Sequence, residues 1–331
     1  MYNQAFHKEE LSQYSFLITG GAGFIGSNIV DYLIKYGAGK VRVLDNYLTG
    51  RKSNIEKYLD LPNFEMIEGD ICDLEVCRKA CADIDFVSHQ AALGSVPRSI
   101  KHPEKTNAIN VSGFLNMVIA ASENKVKRFV YASSSSVYGD SLALPKIEDQ
   151  TGKPLSPYAV SKYTNELYAN VFADIYGLEI CGLRYFNIFG PKQDPNGAYA
   201  AVIPIFIDKS IQEETVYIDG DGEQTRDFTF VENAVQANVK AFFAVGSEIK
   251  KQVFNIAVGE NFSVNQIYNT IQDCLGKNNK PSYRESRKGD VKDSLADITK
   301  AEKILGYSPG VRFEEGIKKT IDFFKPEPAV K

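Results

Sequence analysis

The sequence predicts an α/β fold in which a doubly wound parallel sheet is followed by a smaller α/β lobe. Short apolar runs alternate with amphipathic stretches through the first half of the chain, a glycine-rich loop follows the first run, and the alternation stops near residue 190. Strands and helices in repeated alternation are typical of a parallel sheet with helices on both faces. These three observations carry the prediction.

Six apolar runs are the candidate strands of the sheet. In chain order they are SFLIT, KVRVLDN, FEMIEGD, DIDFVSHQA, RFVYASS and LEICGLRYF, the last over 178–186. We expect a helix between each successive pair of the first five. Because a doubly wound sheet binds ligands beyond the carboxyl ends of its strands, functional residues are expected directly after these runs.

The segment PKQDPNGAYA, rich in proline, glycine and asparagine, predicts a boundary between two lobes. We assign residues 1–189 to the sheet-bearing domain and 190–331 to a substrate-binding lobe. Part of about 228–260 is expected to pack back on the first domain. The helices expected in the second lobe are 202–211, one that opens at Glu232, and one that opens at Ser263, where Gln266 would complete a capping box.

The overall composition excludes several classes of function. The chain has 331 residues, a net charge of −4 and a pI of about 5.6, so its charge favours neither nucleic acid nor an anionic membrane. No apolar run precedes the first predicted strand, and no segment has the length of a membrane span, so we expect a cytoplasmic protein. The cysteines and histidines have no metal-site spacing, which predicts reduced packing cysteines and no metal.

A glycine-rich loop directly follows the first predicted strand. The stretch TGGAGFIGS spaces Gly20, Gly23 and Gly26 three residues apart, between a strand and a helix, as a dinucleotide pyrophosphate requires. The second predicted strand ends in Asp45, whose carboxylate can accept hydrogen bonds from the adenosine ribose. Since that carboxylate would repel a 2′-phosphate, the sequence favours NAD over NADP.

Two more segments follow strands at the same edge of the sheet. Asp70, in EGDICD, could reach the adenine of the cofactor, although an aspartate that only caps the local backbone is nearly as well supported. The fourth run ends in His89, Gln90, Ala91 and Ala92, beside the expected cofactor. We interpret His89 as a packed core histidine and give it no catalytic role.

The stretch SPYAVSKY places Tyr158 four residues before Lys162, so on a helix the two side chains share one face. The fifth run ends in a row of hydroxyls, Ser133 to Ser136, at the same edge of the sheet. A tyrosine base at neutral pH needs its pKa lowered by roughly 3 units, about 4 kcal/mol, which Lys162 and a positive nicotinamide can supply. With a serine to orient proton transfer, these groups are suited to oxidising an alcohol.

These motifs, in this order, resemble the extended short-chain dehydrogenase/reductases, and among them the nucleotide-sugar 4-epimerases, from residue 14 to about 324. The resemblance implies a Rossmann domain that binds NAD. It also implies that Tyr158 is the base, that Lys162 lowers the tyrosine pKa and holds the nicotinamide ribose, and that Ser134 assists. The residues expected to contact NAD are Gly20, Gly23, Phe24, Ile25, Gly26, Asp45, Asn46, Asp70, Ile71, Gln90, Ala91, Ala92, Asn110, Tyr158, Lys162 and Tyr185.

The residues beside Ser134 favour epimerisation over related reactions. The 4,6-dehydratases that resemble this family follow the equivalent hydroxyl residue with Asp-Glu, and the decarboxylases have a glutamate there, whereas this chain has Ser135 and Ser136. Elimination would lack its acid, but epimerisation needs only reversible hydride transfer at C4 and rotation of the keto sugar. The resemblance therefore implies no net redox change and an NAD that stays bound between turnovers.

The second lobe is expected to hold the sugar nucleotide. Arg226 and Arg287 match family arginines that clamp a diphosphate, which guanidinium forks suit. Ser294, four residues past Asp290, stands where enzymes confined to UDP-glucose and UDP-galactose have tyrosine. This small residue leaves room for a 2-acetamido group, so the resemblance is closest to the subgroup that prefers UDP-GlcNAc and UDP-GalNAc, which usually serves surface polysaccharide synthesis. The residues expected to contact substrate are Gly94, Ser95, Ser134, Ser135, Ser136, Asn187, Ala201, Val202, Tyr217, Asp219, Arg226, Arg287, Asp290 and Ser294.

Three alternatives remain open from the sequence. The same chemistry could act on UDP-glucose, or on UDP-GlcNAc uronic acid, whose carboxylate would need a cation such as Arg98. A non-enzymatic NAD-binding regulator is the third, although such a relative typically loses the tyrosine or the lysine. The resemblance also implies a homodimer through the helices near 103–123 and 157–175. Apolar residues that could serve that interface or equally the core are Val111, Phe114, Leu115 and Val118.

Overall fold

The computed structural model describes residues 1–197, 200–285 and 293–325, and a seven-stranded parallel sheet lies at the centre of its first lobe. The strands in chain order are β1 (Ser15–Thr19), β2 (Lys40–Asp45), β3 (Phe64–Glu68), β4 (Phe86–His89), β5 (Arg128–Ser134), β6 (Ile180–Tyr185), β7 (Ile188–Phe189), β8 (Tyr217–Asp219), β9 (Thr225–Arg226), β10 (Thr229–Phe230), β11 (Val253–Ile256), β12 (Phe262–Ser263) and β13 (Ser282–Arg284).

Helices cover both faces of this sheet and build much of the second lobe. In chain order they are α1 (Phe24–Lys35), α2 (Leu74–Cys81), α3 (Val96–Lys101), α4 (Pro103–Asn107), α5 (Phe114–Glu123), α6 (Pro157–Ile175), α7 (Val202–Ile211), α8 (Val231–Phe243), α9 (Gly246–Ile249), α10 (Val264–Leu275), α11 (Thr299–Leu305) and α12 (Phe313–Phe324). A π-helical turn, Ala108–Gly113, joins α4 to α5.

The large sheet has the strand order β3-β2-β1-β4-β5-β6-β11, with parallel pairing throughout. This confirms the predicted doubly wound α/β fold. The order changes direction between β1 and β4, where Thr19 lies opposite His89. The chain leaves these two strands toward opposite sides of the sheet, so a crevice opens at their carboxyl ends, as such a fold requires for ligand binding.

Two apolar cores sandwich the sheet because alternate residues of each strand face opposite sides. On β1, Phe16 and Ile18 belong to the core under α1, α8 and α11, while Leu17 belongs to the core under α2, α5 and α6. Strands buried on both faces read as continuous apolar runs, and this is why they could be found in the sequence. Phe114 and Val118 are fully buried in the second of these cores.

The segment between β2 and β3 departs from the sequence prediction. We expected a helix there, but the chain forms two 3-10 turns, Lys52–Asn54 and Glu56–Tyr58. The Arg51 N–H and the Asn54 side-chain amide both donate to the carbonyl of Ala22, at 3.0 Å and 2.8 Å. These bonds tie the segment to the glycine loop.

The second lobe contains three two-stranded pairs, β7 with β10, β8 with β13 and β9 with β12, packed with α7, α10 and α12. The chain returns to the first lobe over 231–256. There α8 contacts α1, and β11 becomes the outer strand beside β6. The assignment of residues 190–331 to one lobe remains a prediction, and its member β11 lies in the large sheet.

The capping box predicted at the start of α10 is confirmed. Ser263 caps α10 by accepting from the Gln266 N–H, while the Gln266 side chain accepts from the Ser263 N–H, which is the predicted capping box. At the start of α6, the Ser156 hydroxyl accepts a single cap hydrogen bond from the Ala159 N–H, at 3.1 Å. Among the described residues, no helix combines the length and the apolar character needed to span a bilayer.

Candidate active site

A cavity of about 520 Å³ lies at the carboxyl ends of the central strands and reaches the junction with the second lobe. Most residues that were predicted to contact the cofactor line it. These are Gly20, Gly23, Phe24, Ile25, Gly26, Asp45, Asn46, Asp70, Ile71, Gln90, Ala91, Ala92, Tyr158, Lys162 and Tyr185. The sequence analysis missed Leu48, Thr49 and Gln193, which also line the cavity but follow no motif that marks them.

The glycine loop forms a cradle that larger residues would fill. Gly20 has φ +67°, and a Cβ on it would lie 2.8 Å from the Ala91 nitrogen. A Cβ on Gly26 would lie 2.2 Å from the Gly20 carbonyl oxygen. The loop therefore exposes backbone at the N-terminus of α1, where partial positive charge favours a pyrophosphate, and the residues present fit a dinucleotide.

Asp45, the last residue of β2, is held by hydrogen bonds from the glycine loop and from the loop that follows β2. Its carboxylate accepts from the Ala22 N–H at 2.9 Å and from the Tyr47 N–H at 2.8 Å. Burial raises the pKa of Asp45, while the backbone hydrogen bonds oppose that rise. Each carboxylate oxygen keeps a second lone pair, which is what two ribose hydroxyls need.

We expect Asp45→Asn to weaken NAD binding by about 10- to 100-fold, because a hydrogen bond to a charged group contributes about 1.5–3 kcal/mol. Titration calorimetry on NAD-stripped protein would measure this loss, and the ratio of NAD to NADP affinity should fall as well. Asp60→Asn, at an exposed position, is the matched control. An unchanged preference for NAD over NADP in the Asp45 variant would contradict this role.

Asp70 also reaches the cavity and is not the N-cap of a helix. Its carboxylate accepts from the Cys72 N–H at 2.8 Å and from the Asn46 side chain at 2.9 Å, and Asp73 is the residue that caps α2. Partial burial would raise the pKa of Asp70, but the hydrogen bonds from Cys72 and Asn46 outweigh it and lower the pKa. Asp70 and Asn46 therefore form one charged, hydrogen-bonded edge of the cavity.

Tyr185 is fixed at the cavity wall by a polar network that the sequence analysis missed. Its hydroxyl accepts from the Asn238 side-chain amide at 2.7 Å and lies 3.3 Å from Gln90 Oε1. Gln90 and Asn238 also share the hydroxyl of Ser88. Because α8 brings Asn238 to β4 from a distant part of the chain, no local pattern could have indicated this contact.

Lys162 lies under the cavity floor and is 2% exposed. Its ammonium donates to the carbonyl of Ala132, the residue two before Ser134, at 2.8 Å. Burial lowers the pKa of Lys162 to about 8, so most molecules keep the cation at neutral pH. This places a fixed positive charge one helical turn after Tyr158.

Tyr158 lies in the first turn of α6, on the cavity. Burial raises the pKa of Tyr158, and a hydrogen bond with Ser134 works against that rise. A tyrosine base needs the opposite net shift, so further lowering must come from the Lys162 cation and from the positive charge of a bound nicotinamide. The Ser134 hydroxyl also accepts from the Ser136 N–H at 3.1 Å, which fixes its orientation.

His89 is a buried core histidine. Its Nδ1 lies 2.8 Å from the Thr19 hydroxyl, and its ring packs against Phe114 and Phe129. Burial, with help from the nearby Lys162 cation, lowers the pKa of His89 to about 3. The ring is therefore neutral at physiological pH and cannot act as an acid there.

The predicted substrate residues fall into three groups. Gly94, Ser95, Ser134, Ser135 and Asn187 line the cavity. Ser136, Ala201, Val202, Tyr217, Asp219, Arg226 and Ser294 do not line it, and neither does the predicted cofactor contact Asn110. Arg287 and Asp290 lie outside the described residues.

Asn110 does not line the cavity but holds two neighbouring segments together. It lies in the π-helical turn, and its side chain accepts from the Leu93 N–H at 2.7 Å and donates to the Leu93 carbonyl at 3.1 Å. It also donates to the Ser161 hydroxyl at 3.1 Å. Asn110 thereby holds the loop after β4, which carries the cavity residue Gly94, against α6.

In the second lobe, four of the predicted residues that do not line the cavity lie in two separate places, around β9 and on β8. The Ser294 N–H donates to the Thr225 carbonyl at 3.1 Å, and Arg226 Nη1 donates to the same carbonyl at 2.8 Å. Tyr217 and Asp219, in β8, both contact Arg284. The Arg284 guanidinium pairs with the Asp219 carboxylate and lies 5.8 Å from the centre of the Tyr217 ring.

Asp227 organises the lobe junction and was not singled out by the sequence analysis. Its carboxylate accepts from the backbone N–H groups of Val258 and Gly259, both at 3.1 Å, and of Ala296 at 3.4 Å. Its own carbonyl accepts from the Asn187 side chain at 2.9 Å. Burial raises the pKa of Asp227 to about 6. One carboxylate thus connects the strand of Arg226 to the segment that follows Ser294.

Comparison with known proteins gives consistent matches along the chain. A family model described as "NAD dependent epimerase/dehydratase family" matches residues 16–257. The UDP-N-acetylglucosamine 4-epimerase of Methanobrevibacter ruminantium M1, solved in complex with UDP-N-acetylmuramic acid, is 38% identical. That match covers 94% of this chain and 98% of the other, with a TM-score of 0.89.

Two UDP-glucose 4-epimerases are nearly as similar. The enzyme of Thermotoga maritima, solved with UDP-glucose, is 37% identical over 94% of this chain and 98% of the other, with a TM-score of 0.88. The enzyme of Mycolicibacterium smegmatis is 36% identical over 311 residues, which are 93% of this chain and 98% of that protein.

Proposed function

Because the chain belongs to the NAD dependent epimerase/dehydratase family and is an NAD-dependent nucleotide-sugar 4-epimerase, we propose that it interconverts UDP-GlcNAc and UDP-GalNAc. The observation that carries the proposal is the chemistry of the sugar end of the cavity. Among the described residues, the side chains that line it beside Tyr158 are small or neutral, namely Gly94, Ser95, Ser134, Ser135 and Asn187.

The charges on the cavity wall support an epimerase over a dehydratase. Among the described lining residues, the charged ones are Asp45 and Asp70 at the adenosine end and Lys162 under the floor. Elimination of water needs a carboxylic acid or carboxylate near the sugar, and none lines that end in the described part of the chain. Reversible oxidation at C4 needs only the tyrosine, the lysine and the serine.

The proposed mechanism assigns one task to each of these side chains. When bound on the glycine loop, NAD supplies the chemistry of hydride acceptance and return at C4 of the sugar. Tyr158 takes the proton of the C4 hydroxyl and later gives it back. Lys162, held by the Ala132 carbonyl, stabilises the phenolate with its charge, and Ser134 orients the tyrosine and the sugar hydroxyl. Among the described residues no charged side chain lines the sugar end, so the hexose would meet only small or neutral groups as it turns between the two half-reactions.

Proton NMR of the purified protein with UDP-GlcNAc, and in parallel with UDP-glucose, tests the proposal through the anomeric signals of the 4-epimers. We expect conversion of both sugars, with the acetylated one faster. Conversion of UDP-glucose alone would keep the mechanism and exclude the proposed substrate. Conversion of neither would favour the uronic acid, or the non-enzymatic binder if that sugar also stays unchanged.

The uronic acid is the less supported substrate. Its carboxylate would need a cation at the sugar end, and Arg98, the candidate from the sequence, lies on α3 and does not line the cavity. UDP-glucose differs only in carrying a C2 hydroxyl in place of the acetamido group, and it remains the closer alternative.

Although Ser294 does not itself line the cavity, we expect Ser294→Tyr to lower the ratio of kcat/KM for UDP-GlcNAc over UDP-glucose by about 10- to 100-fold, because the much longer side chain would extend into the space proposed for the acetamido group. Rates for both sugars measured at low substrate concentration give this ratio directly. Ser247→Tyr, at an exposed position on α9, is the control. A ratio that stays within twofold of wild type would remove Ser294 from the specificity argument.

We also propose a homodimer that pairs the exposed face of α6 with the same face of a second copy. This face of α6 carries four exposed apolar residues at helical spacing, Val160, Leu167, Val171 and Ile175, and Ile175 is 71% exposed.

We expect Val171→Glu to yield a monomer by light scattering, since a charge in an apolar interface is costly. Val245→Glu, at another exposed position, should leave the dimer intact. A monomeric wild-type protein would contradict the proposal.

A further inference from the structure

A buried ion pair lies further along the face of α6 that carries Tyr158 and Lys162. Glu166 follows Lys162 by one helical turn, on the face that carries Tyr158, and it is 5% exposed. Its carboxylate meets the guanidinium of Arg184 in a two-pronged pair, with Nε to Oε1 at 2.9 Å and Nη2 to Oε2 at 2.8 Å. Arg184, in β6, is 3% exposed.

The arginine in this pair is itself immobilised. Its Nη1 donates to the Glu148 carbonyl at 2.7 Å, and its guanidinium lies 4.9 Å from the centre of the Tyr138 ring. Arg184 is also directly opposite Ser133 in the parallel pairing of β5 with β6. Glu166 is therefore anchored to a group that the sheet holds in place.

The same carboxylate accepts from the Ser133 hydroxyl at 2.6 Å. Ser133 stands between Ala132, whose carbonyl accepts from Lys162, and Ser134, which lines the cavity together with Tyr158. Two consecutive residues of β5 are thus bonded to successive turns of α6, directly before the serine that faces the tyrosine. These two bonds together limit how far the helix can slide or rotate along the strand.

We propose that Glu166 is a positioning residue, which holds α6 in register with β5 through Arg184 and Ser133 and so sets Tyr158 against Ser134. It touches neither substrate nor cofactor. This inference rests on the proposed reaction. An ion pair that only stabilised the fold would not need its third bond, to the strand residue next to the catalytic serine.

The test compares Glu166→Gln with Glu179→Gln in the full-length, NAD-loaded protein. Glu179 pairs with the largely buried Arg128 at the opposite end of β5, at 2.6 Å, so its loss also breaks an ion pair of β5 but far from the cavity. We expect Glu166→Gln to lower kcat by about 10²-fold with little change in KM or bound NAD, since small misplacements of reacting groups cost about that much. Glu179→Gln should leave kcat within about twofold.

A pH profile separates positioning from a direct charge effect. If α6 slips, Tyr158 loses the Ser134 hydrogen bond that lowers its pKa, so the acid limb of kcat should move to higher pH. Removal of a negative charge alone would favour the phenolate and move that limb to lower pH. A downward shift, or none, would overturn the proposal.

Ser133→Ala provides a second variant in case Glu166→Gln fails to fold. This variant keeps the pair of Glu166 with Arg184 and removes only the hydrogen bond from the Ser133 hydroxyl to Glu166. We therefore expect kcat to fall about tenfold and the acid limb of its pH profile to move to higher pH. The phenolate absorbance of each variant is titrated against pH without substrate, and the signal of the other tyrosines is subtracted with the Tyr158→Phe protein. The difference gives the pKa of Tyr158 whatever sugar the enzyme uses. An unchanged Tyr158 pKa in both variants refutes the positioning role, while failure of the wild type on every sugar refutes only the proposed function.

Discussion

Replacing Tyr158 by phenylalanine should lower kcat by about 10³-fold, within the range that general acid–base catalysis contributes. Phenylalanine keeps the ring in its place but has no hydroxyl to exchange a proton with the sugar. The residues that line the adenosine end are not changed by this substitution. We therefore expect bound NAD and the affinity for UDP to stay nearly at wild-type levels.

Turnover by NMR, bound NAD in the purified protein, and UDP affinity by calorimetry together measure this effect. Tyr163→Phe is the matched control, because Tyr163 lies on the same helix and packs against a separate small core. That variant should retain its turnover. Activity of Tyr158→Phe within tenfold of wild type would show that another group moves the proton.

The second large effect is expected from Gly26→Ala. An added Cβ would lie 2.2 Å from the Gly20 carbonyl oxygen and 2.9 Å from the Gly21 Cα, and both are backbone atoms that cannot rotate away. The start of α1 must then move off the loop. We expect the protein to lose about 2 kcal/mol of unfolding free energy, as overpacked sites do, and to be purified without NAD.

Thermal unfolding and the absorbance of bound nucleotide would measure the two losses. Gly310→Ala is a suitable control, since a Cβ there meets no atom within 4 Å. If Gly26→Ala retained stoichiometric NAD, the glycine loop could not be the tight cradle that its geometry indicates.

The large sheet was predictable because its signals are local. The strands β1, β2, β4, β5 and β6 are buried on both faces, so their apolar runs are visible without knowledge of their neighbours. The glycine loop and Asp45 could be found for a related reason, since the loop directly follows β1 and Asp45 is the last residue of β2. The failed prediction, a helix between β2 and β3, concerns a segment whose shape depends on bonds to Ala22, which lies in a different loop.

The parts of the site that were missed depend on distant contacts. Asn238 reaches Gln90 across 148 positions of the chain, and Asp227 meets backbone groups that come from two later segments. In neither case does the residue stand in a pattern that marks it. The second lobe was harder to predict for the same reason, since its strand pairs have two or three residues each and carry little periodicity.

The return of the chain to the large sheet limits how the two lobes could be exchanged between related proteins. A graft with a single junction near residue 190 would remove β11 and leave β6 as an open edge, which is prone to pairing with other chains. It would also remove Asn238 from Tyr185. A chimaera that borrows a new sugar pocket therefore needs at least two junctions, so that the segment 231–256 stays with its own sheet.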